Sequence, residues 1–240
     1  MLDLSNTEAQ NRIIVALDCP CAQALDIAQS LKGRASWIKV GMTLYYAEGP
    51  AIVSAFKDMG FKVFLDLKFH DIPHQVRGAA ASATRAGADM LTVHSLGGTD
   101  MMRAALKGAQ EAADEASMQR PVLLGITVLT SMSQVQLEAC GINSSIEDQV
   151  LAMAGLAQGA GLDGVVASPS EAASLRQALG SDAYIVTPGV RPLGSDMGDQ
   201  HRVATPAQAF AAGASHIVVG RPIVASADPV SAFEEVAQSV

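Results

Sequence analysis

The chain has 240 residues, 49% of them apolar, with 24 acidic against 16 basic side chains and a formal net charge of -8. The apolar fraction is ample for one large core, while the acidic balance excludes a broad cationic face for nucleic acid or an anionic membrane. Cys19, Cys21 and Cys140 form an odd set without framework spacing and read as reduced thiols, and no apolar run approaches the roughly 20 residues that span a bilayer.

At the start, Met1 to Ser5 carry neither the basic nor the apolar region of a leader, so a cytoplasmic location is expected. Beyond them, short apolar and β-branched runs alternate with alanine-rich helical segments. The strand signals fall at residues 12–18, 37–42, 62–68, 90–95, 122–129, 164–168, 184–189 and 216–221. Helices are expected at 22–31, 51–59, 74–86, 100–116, 146–158, 170–179, 205–212 and 228–238. Gly60, Gly87, Gly161, Gly180 and Gly213 stand where helices should stop, and Thr205-Pro206 reads as an N-cap followed by proline. An unbroken β-then-α alternation of this length predicts a single-domain (β/α)8 TIM barrel over residues 1–240, with a doubly wound open sheet as the alternative.

The barrel is favoured by where the ionisable residues fall. Asp18 ends the first strand signal, Lys39 lies in the second, Asp66 and Lys68 end the third and Arg221 ends the eighth. Barrel active sites are built at these C-terminal strand ends. Asp66 and Lys68 stand two apart, which is the strand period, so they share one face. Burying that face unpaired would cost several kcal/mol. The order Asp18, Lys39, Asp66, Lys68 alternates in sign across the mouth, and neighbouring carboxylates favour protonated lysines. Lys68 therefore reads as a proton donor rather than a Schiff-base nucleophile, which needs a lowered pKa. Asp71 follows in the loop that Ile72-Pro73 holds extended.

The loops after strands seven and eight carry Pro188-Gly189-Val190-Arg191 and Gly220-Arg221-Pro222. In this fold those loops commonly seat a phosphate, and two arginines add charge-assisted hydrogen bonds. Residues 191–205 make a connection longer than the usual two to six, with the polar composition of a lid; Gln200 is the lid residue placed on the ligand.

Taken jointly, Ala16-Leu17-Asp18, Ile38-Lys39-Val40-Gly41, the run from Asp66 to Pro73, Val93-His94, Val128-Leu129-Thr130-Ser131, the run from Thr187 to Arg191, Gln200 and Val219-Gly220-Arg221-Pro222 resemble the orotidine 5'-phosphate decarboxylase family over essentially the whole chain. The resemblance implies decarboxylation of orotidine monophosphate to UMP by a homodimeric barrel, with no cofactor and no metal. By position it implies that Lys68 protonates C6 and that Lys39 and Asp66 complete the charged array. Asp71 is implied to reach the partner's site. Asp18 and Lys39 would hold ribose hydroxyls, Thr130 the base edge, and Arg191, Gln200, Gly220 and Arg221 the phosphate. The chain departs from the pattern at His74-Gln75, where the family has Asn-Thr; Gln75 keeps a donor of different reach as the implied ligand contact.

His94, at the end of the fourth strand, reads as a packed residue rather than a catalytic base, and no histidine pair has metal-ligand spacing with a carboxylate. Magnesium-dependent sugar-phosphate decarboxylases and hexulose-phosphate synthases share the Asp-x-Lys-x-x-Asp stretch. They place an acidic metal ligand where this chain has Lys39, and a cation there repels Mg²⁺. A silent phosphate-binding barrel is the other alternative, but a mere binder has no need to bury such an array.

Overall fold

In the computed structural model, which describes residues 6–191 and 204–240, the apolar runs become eight parallel strands. They are β1 (Ile13–Ala16), β2 (Trp37–Gly41), β3 (Lys62–Phe69), β4 (Met90–His94), β5 (Val122–Ile126), β6 (Gly164–Val166), β7 (Tyr184–Thr187) and β8 (His216–Val219). Each pairs with the next, and β8 pairs with β1, so the sheet closes into a barrel with no free edge. This is the predicted architecture, and the open sheet is excluded.

The helices are α1 (Asn6–Gln10), α2 (Cys21–Leu31), α3 (Met42–Glu48), α4 (Ala51–Asp58), α5 (Pro73–Arg85) and α6 (Gly98–Glu115) in the first half. α7 (Gln134–Ala139), α8 (Ile146–Ala160), α9 (Ala172–Leu179), α10 (Pro206–Ala211), α11 (Arg221–Val224) and α12 (Pro229–Gln238) follow. All eight predicted helices are present. Those missed are the short α1, α3, α7 and α11. α7 had a readable signal, because Ser133 and Gln136 form a capping box at its start. The helix expected from residue 170 is instead entered through a short 3-10 turn capped by Ser168, with Pro169 at its first position and Glu171 completing the box.

Strand parity sorts the side chains into two cores. Ile13, Val15, Ile38, Val40, Val63, Leu65, Leu91 and Val93 point outward into the large core beneath the helices. Ile14, Ala16, Trp37, Phe64, Met90, Leu124, Val186 and Val218 form a separate cluster inside the barrel. That inner cluster fills the floor on which the site stands. At the strand starts, His216 packs edge-on to Trp37 at 5.8 Å and stacks on Tyr184 at 5.6 Å.

Burial, with the Arg12 and Lys62 charges nearby, pushes the His216 pKa down to about 4. Between about pH 6.5 and 4 the unfolded chain binds a proton there that the folded chain refuses, so stability should fall as pH drops through that window. The shift corresponds to ~3 kcal/mol at full extent. In urea unfolding, His216→Asn should flatten the slope of midpoint against pH in this range; an unchanged slope would assign the acid loss to other groups.

Candidate active site

The inward parity that places Ile14, Trp37 and Phe64 in the floor brings Lys39 and Asp66 to the mouth two residues after Trp37 and Phe64, and Asp18 four residues after Ile14. Leu17 N–H donates to Lys39 O at 3.1 Å, carrying the β1–β2 pairing one step past Ala16 and setting Asp18 beside Lys39. Lys39 Nζ then lies 2.8 and 3.1 Å from the two Asp18 carboxylate oxygens and 3.9 Å from Asp66 Oδ2. Lys68 Nζ donates to that same Oδ2 at 2.7 Å. The four groups thus meet as an alternating chain, as their order in sequence predicts. Asp18 is the open end of it, with its side chain 57% exposed, whereas Lys39 and Asp66 are nearly enclosed at 9% and 14%.

Burial alone would raise the Asp66 pKa. The charges of Lys39 and Lys68, with hydrogen bonds from Lys68 and Thr92, outweigh it and hold the carboxyl below the usual carboxylate range. Asp66 is therefore an anion clamped between two ammonium groups.

The array is reached differently from the regular pleat that the two-residue spacing suggests. β3 and β4 lose register between Leu65 and Phe69, and Lys68 has φ of 52°, in the left-handed region that non-glycine residues rarely occupy. Such a residue costs on the order of 1–3 kcal/mol and persists where surrounding contacts enforce it. The bulge aims Lys68 back toward Asp66 instead of continuing the strand.

Asp18, Lys39, Asp66, Lys68, Thr130, Arg191, Gly220 and Arg221 all line one cavity of about 520 Å³, within the range of small-molecule sites. Ala16, Phe64, Ile126, Val166 and Val218 give it an apolar floor. Strand ends are corrected here: β1 stops at Ala16, β5 at Ile126 and β8 at Val219. Asp18, Thr130 and Arg221 lie past those ends, because the chain leaves the ladder to widen the mouth, and Arg221 opens α11 rather than closing β8. Arg191 N–H donates to Ala204 O at 2.9 Å, joining the two ends of the long loop. Residues 192–203 of that loop, with Gln200, lie outside the described residues.

Asp71 and Gln75 do not line this cavity. Both are exposed, with Asp71 Oδ1 accepting the Ile72 N–H at 2.6 Å and Gln75 in the first turn of α5. His94 is half-buried and stacks on His70 at 5.0 Å, and its Nδ1 accepts the Leu96 N–H. Burial, with His70 and Lys68 nearby, pushes its pKa down to about 4, so it is a neutral packed ring near pH 7. Among the described residues no cluster of three or more His, Cys, Asp or Glu is placed to hold a metal ion.

The residue that the sequence reading missed is Thr92. It is fully buried, and its hydroxyl donates to Asp66 Oδ1 at 2.9 Å. The available signal was parity: Met90, Thr92 and His94 alternate along β4, and a polar residue on an inward face needs a partner.

Gly41, the last residue of β2, faces Asp66 across the ladder. A Cβ there would fall 2.5 Å from Asp18 Oδ1 and 3.0 Å from Lys39 Nζ. Gly41→Ala should therefore displace the Asp18–Lys39 pair; a crystal structure of the variant with that pair unmoved would show that the Cβ is accommodated elsewhere.

The model of the orotidine 5'-phosphate decarboxylase / HUMPS family matches residues 11–236. The chain belongs to this family. Within the orotidine 5'-phosphate decarboxylase / HUMPS family it is similar to the orotidine 5'-phosphate decarboxylase of Moorella thermoacetica, with 47% identity covering 99% of this chain and 95% of the relative. The protein of the same name from Nitratidesulfovibrio vulgaris is 48% identical, covering 92% and 93%. Among solved structures, the orotidine 5'-phosphate decarboxylase of Lactobacillus acidophilus superposes with a TM-score of 0.85 at 37% identity, covering 95% of this chain and 98% of that one.

Proposed function

We propose that this chain decarboxylates orotidine 5'-phosphate to UMP, with Lys68 as the proton donor and without cofactor or metal. The family and its curated relatives support the reaction; the Asp18–Lys39–Asp66–Lys68 array carries the assignment of roles. When the bond from C6 to its carboxylate breaks, carbon dioxide leaves and the electron pair stays on C6 in an orbital that the ring cannot delocalise. A fixed ammonium held beside C6 stabilises that charge. Lys68 then transfers a proton to C6 and is left as the amine, which solvent reprotonates. Asp66 keeps Lys68 aimed and, beside the substrate carboxylate, would repel it and favour its departure.

Asp18 and Lys39 hold the ribose hydroxyls, and Thr130 the base edge. Arg191, Gly220 and Arg221, with Gln200, hold the phosphate. Binding energy from that remote group is then available to the transition state.

The protein works as a homodimer in the cytoplasm, with Asp71 and Gln75 entering the partner's cavity. The exposed large apolar residues Met42, Tyr46, Ile72, Leu96 and Leu129 follow β2, β3, β4 and β5 in turn, on one side of the mouth. Exposed apolar residues after four successive strands favour burial against a second copy. No helix of the described residues is long and apolar enough to cross a membrane.

The metal-dependent branch of the same family is disfavoured by the two ammonium groups, Lys39 on Asp18 and Lys68 on Asp66, which occupy the carboxylates that a cation would need. Purified, metal-stripped protein should convert orotidine 5'-phosphate, followed by its absorbance, at the same rate with and without EDTA. Activity abolished by the chelator and restored by Mg²⁺ would favour the metal-dependent reading, and no conversion under any condition a binding barrel.

A further inference from the structure

The left-handed backbone at Lys68 is held by one side chain from the neighbouring strand. Leu65 pairs with Leu91 and Phe69 with Val93, so Asp66, Leu67 and Lys68 together stand opposite Thr92 alone. Such a bulge leaves backbone groups without ladder partners. Thr92 Oγ1 supplies one: it accepts the Lys68 N–H at 2.9 Å and donates its own proton to Asp66 Oδ1 at 2.9 Å. The two bonds run in opposite senses, so this position needs a group that both accepts and donates. With Oδ1 taken by Thr92, Oδ2 of Asp66 faces Lys68 at 2.7 Å and Lys39 at 3.9 Å. Thr92 is fully buried beneath the array and does not line the cavity, so it acts only through these two residues.

We infer that Thr92 is a positioning residue for the proton transfer. Its buried hydroxyl locks the bulge of β3 and the rotation of the Asp66 carboxylate, fixing where Lys68 Nζ stands. This rests on the reading of Lys68 as the donor. A misplacement of order 1 Å at a reacting group is enough to cost ~10²-fold, so the hydroxyl's effect belongs in turnover rather than binding.

The test is a set of three buried substitutions compared with Lys68→Ala. Thr92→Val keeps volume and β-branching but removes both hydrogen bonds; Thr92→Ala removes them without overfilling the site; Thr92→Ser keeps the hydroxyl. Turnover of orotidine 5'-phosphate by Thr92→Val should drop ~10- to 100-fold, with KM and UMP affinity within ~3-fold of wild type. Thr92→Ser should stay within ~3-fold of wild-type turnover, and Thr92→Ala should follow Thr92→Val. If the valine variant fails to fold, the alanine and serine pair decides. Wild-type turnover in the hydroxyl-free variants would overturn the inference. So would a serine variant as impaired as they are while melting like wild type, or a loss confined to KM. Lys68→Ala separates the two readings: if it retains near-normal turnover, the donor assignment has failed. If it is crippled while Thr92→Val is not, only the role of Thr92 has failed.

Discussion

Lys68→Ala should lower turnover of orotidine 5'-phosphate at least ~10²- to 10³-fold while leaving the barrel folded, the scale for deleting one preorganised electrostatic group. The loss should appear mainly in kcat, because the charge that Lys68 offsets develops on C6 only as the bond breaks. Folding should survive because the side chain is 30% exposed, and Asp66 keeps its hydrogen bond from Thr92 and the Lys39 charge at 3.9 Å. Steady-state kinetics with a melting curve for each protein decides it. Near-normal turnover in a folded variant would remove the donor assignment, and with it the reason for so much buried charge.

Strand parity explains how much of this could be read in advance. Asp18, Lys39, Asp66 and Lys68 announced themselves because a charged residue stands out in an apolar run, and closing the barrel needs only the alternation of segments. Thr92 gave only the weak signal of parity, for the opposite reason: threonine is an ordinary strand residue, and its role depends on a bulge in another strand. Gly41 was quoted as part of a motif, but its steric reason needed the 2.5 Å approach to Asp18. Val128 and Leu129 misled the eye by looking like more of β5. They lie past the last ladder pair and line the cavity, and Val128 also packs into the large core. The short helices were lost because four to seven residues give too little periodicity to register.

Asp71 offers the other large effect, and it tests the assembly as well as the chemistry. Its side chain is exposed and does not line its own subunit's cavity, so Asp71→Ala should leave the fold intact yet lower turnover ~10²-fold if the carboxylate completes a partner's array. Symmetry makes the arrangement testable by mixing. When Lys68→Ala and Asp71→Ala proteins exchange subunits, each mixed dimer holds one site with both substitutions and one site with neither. Two nearly inactive preparations should then recover roughly a quarter of the wild-type sites after random exchange in a two-fold dimer. Dilution below the dimer dissociation constant should lower the specific activity again, since the intact site needs both chains. If Asp71 instead serves the subunit that carries it, every site in the mixture retains one defect, and mixing restores nothing at any concentration.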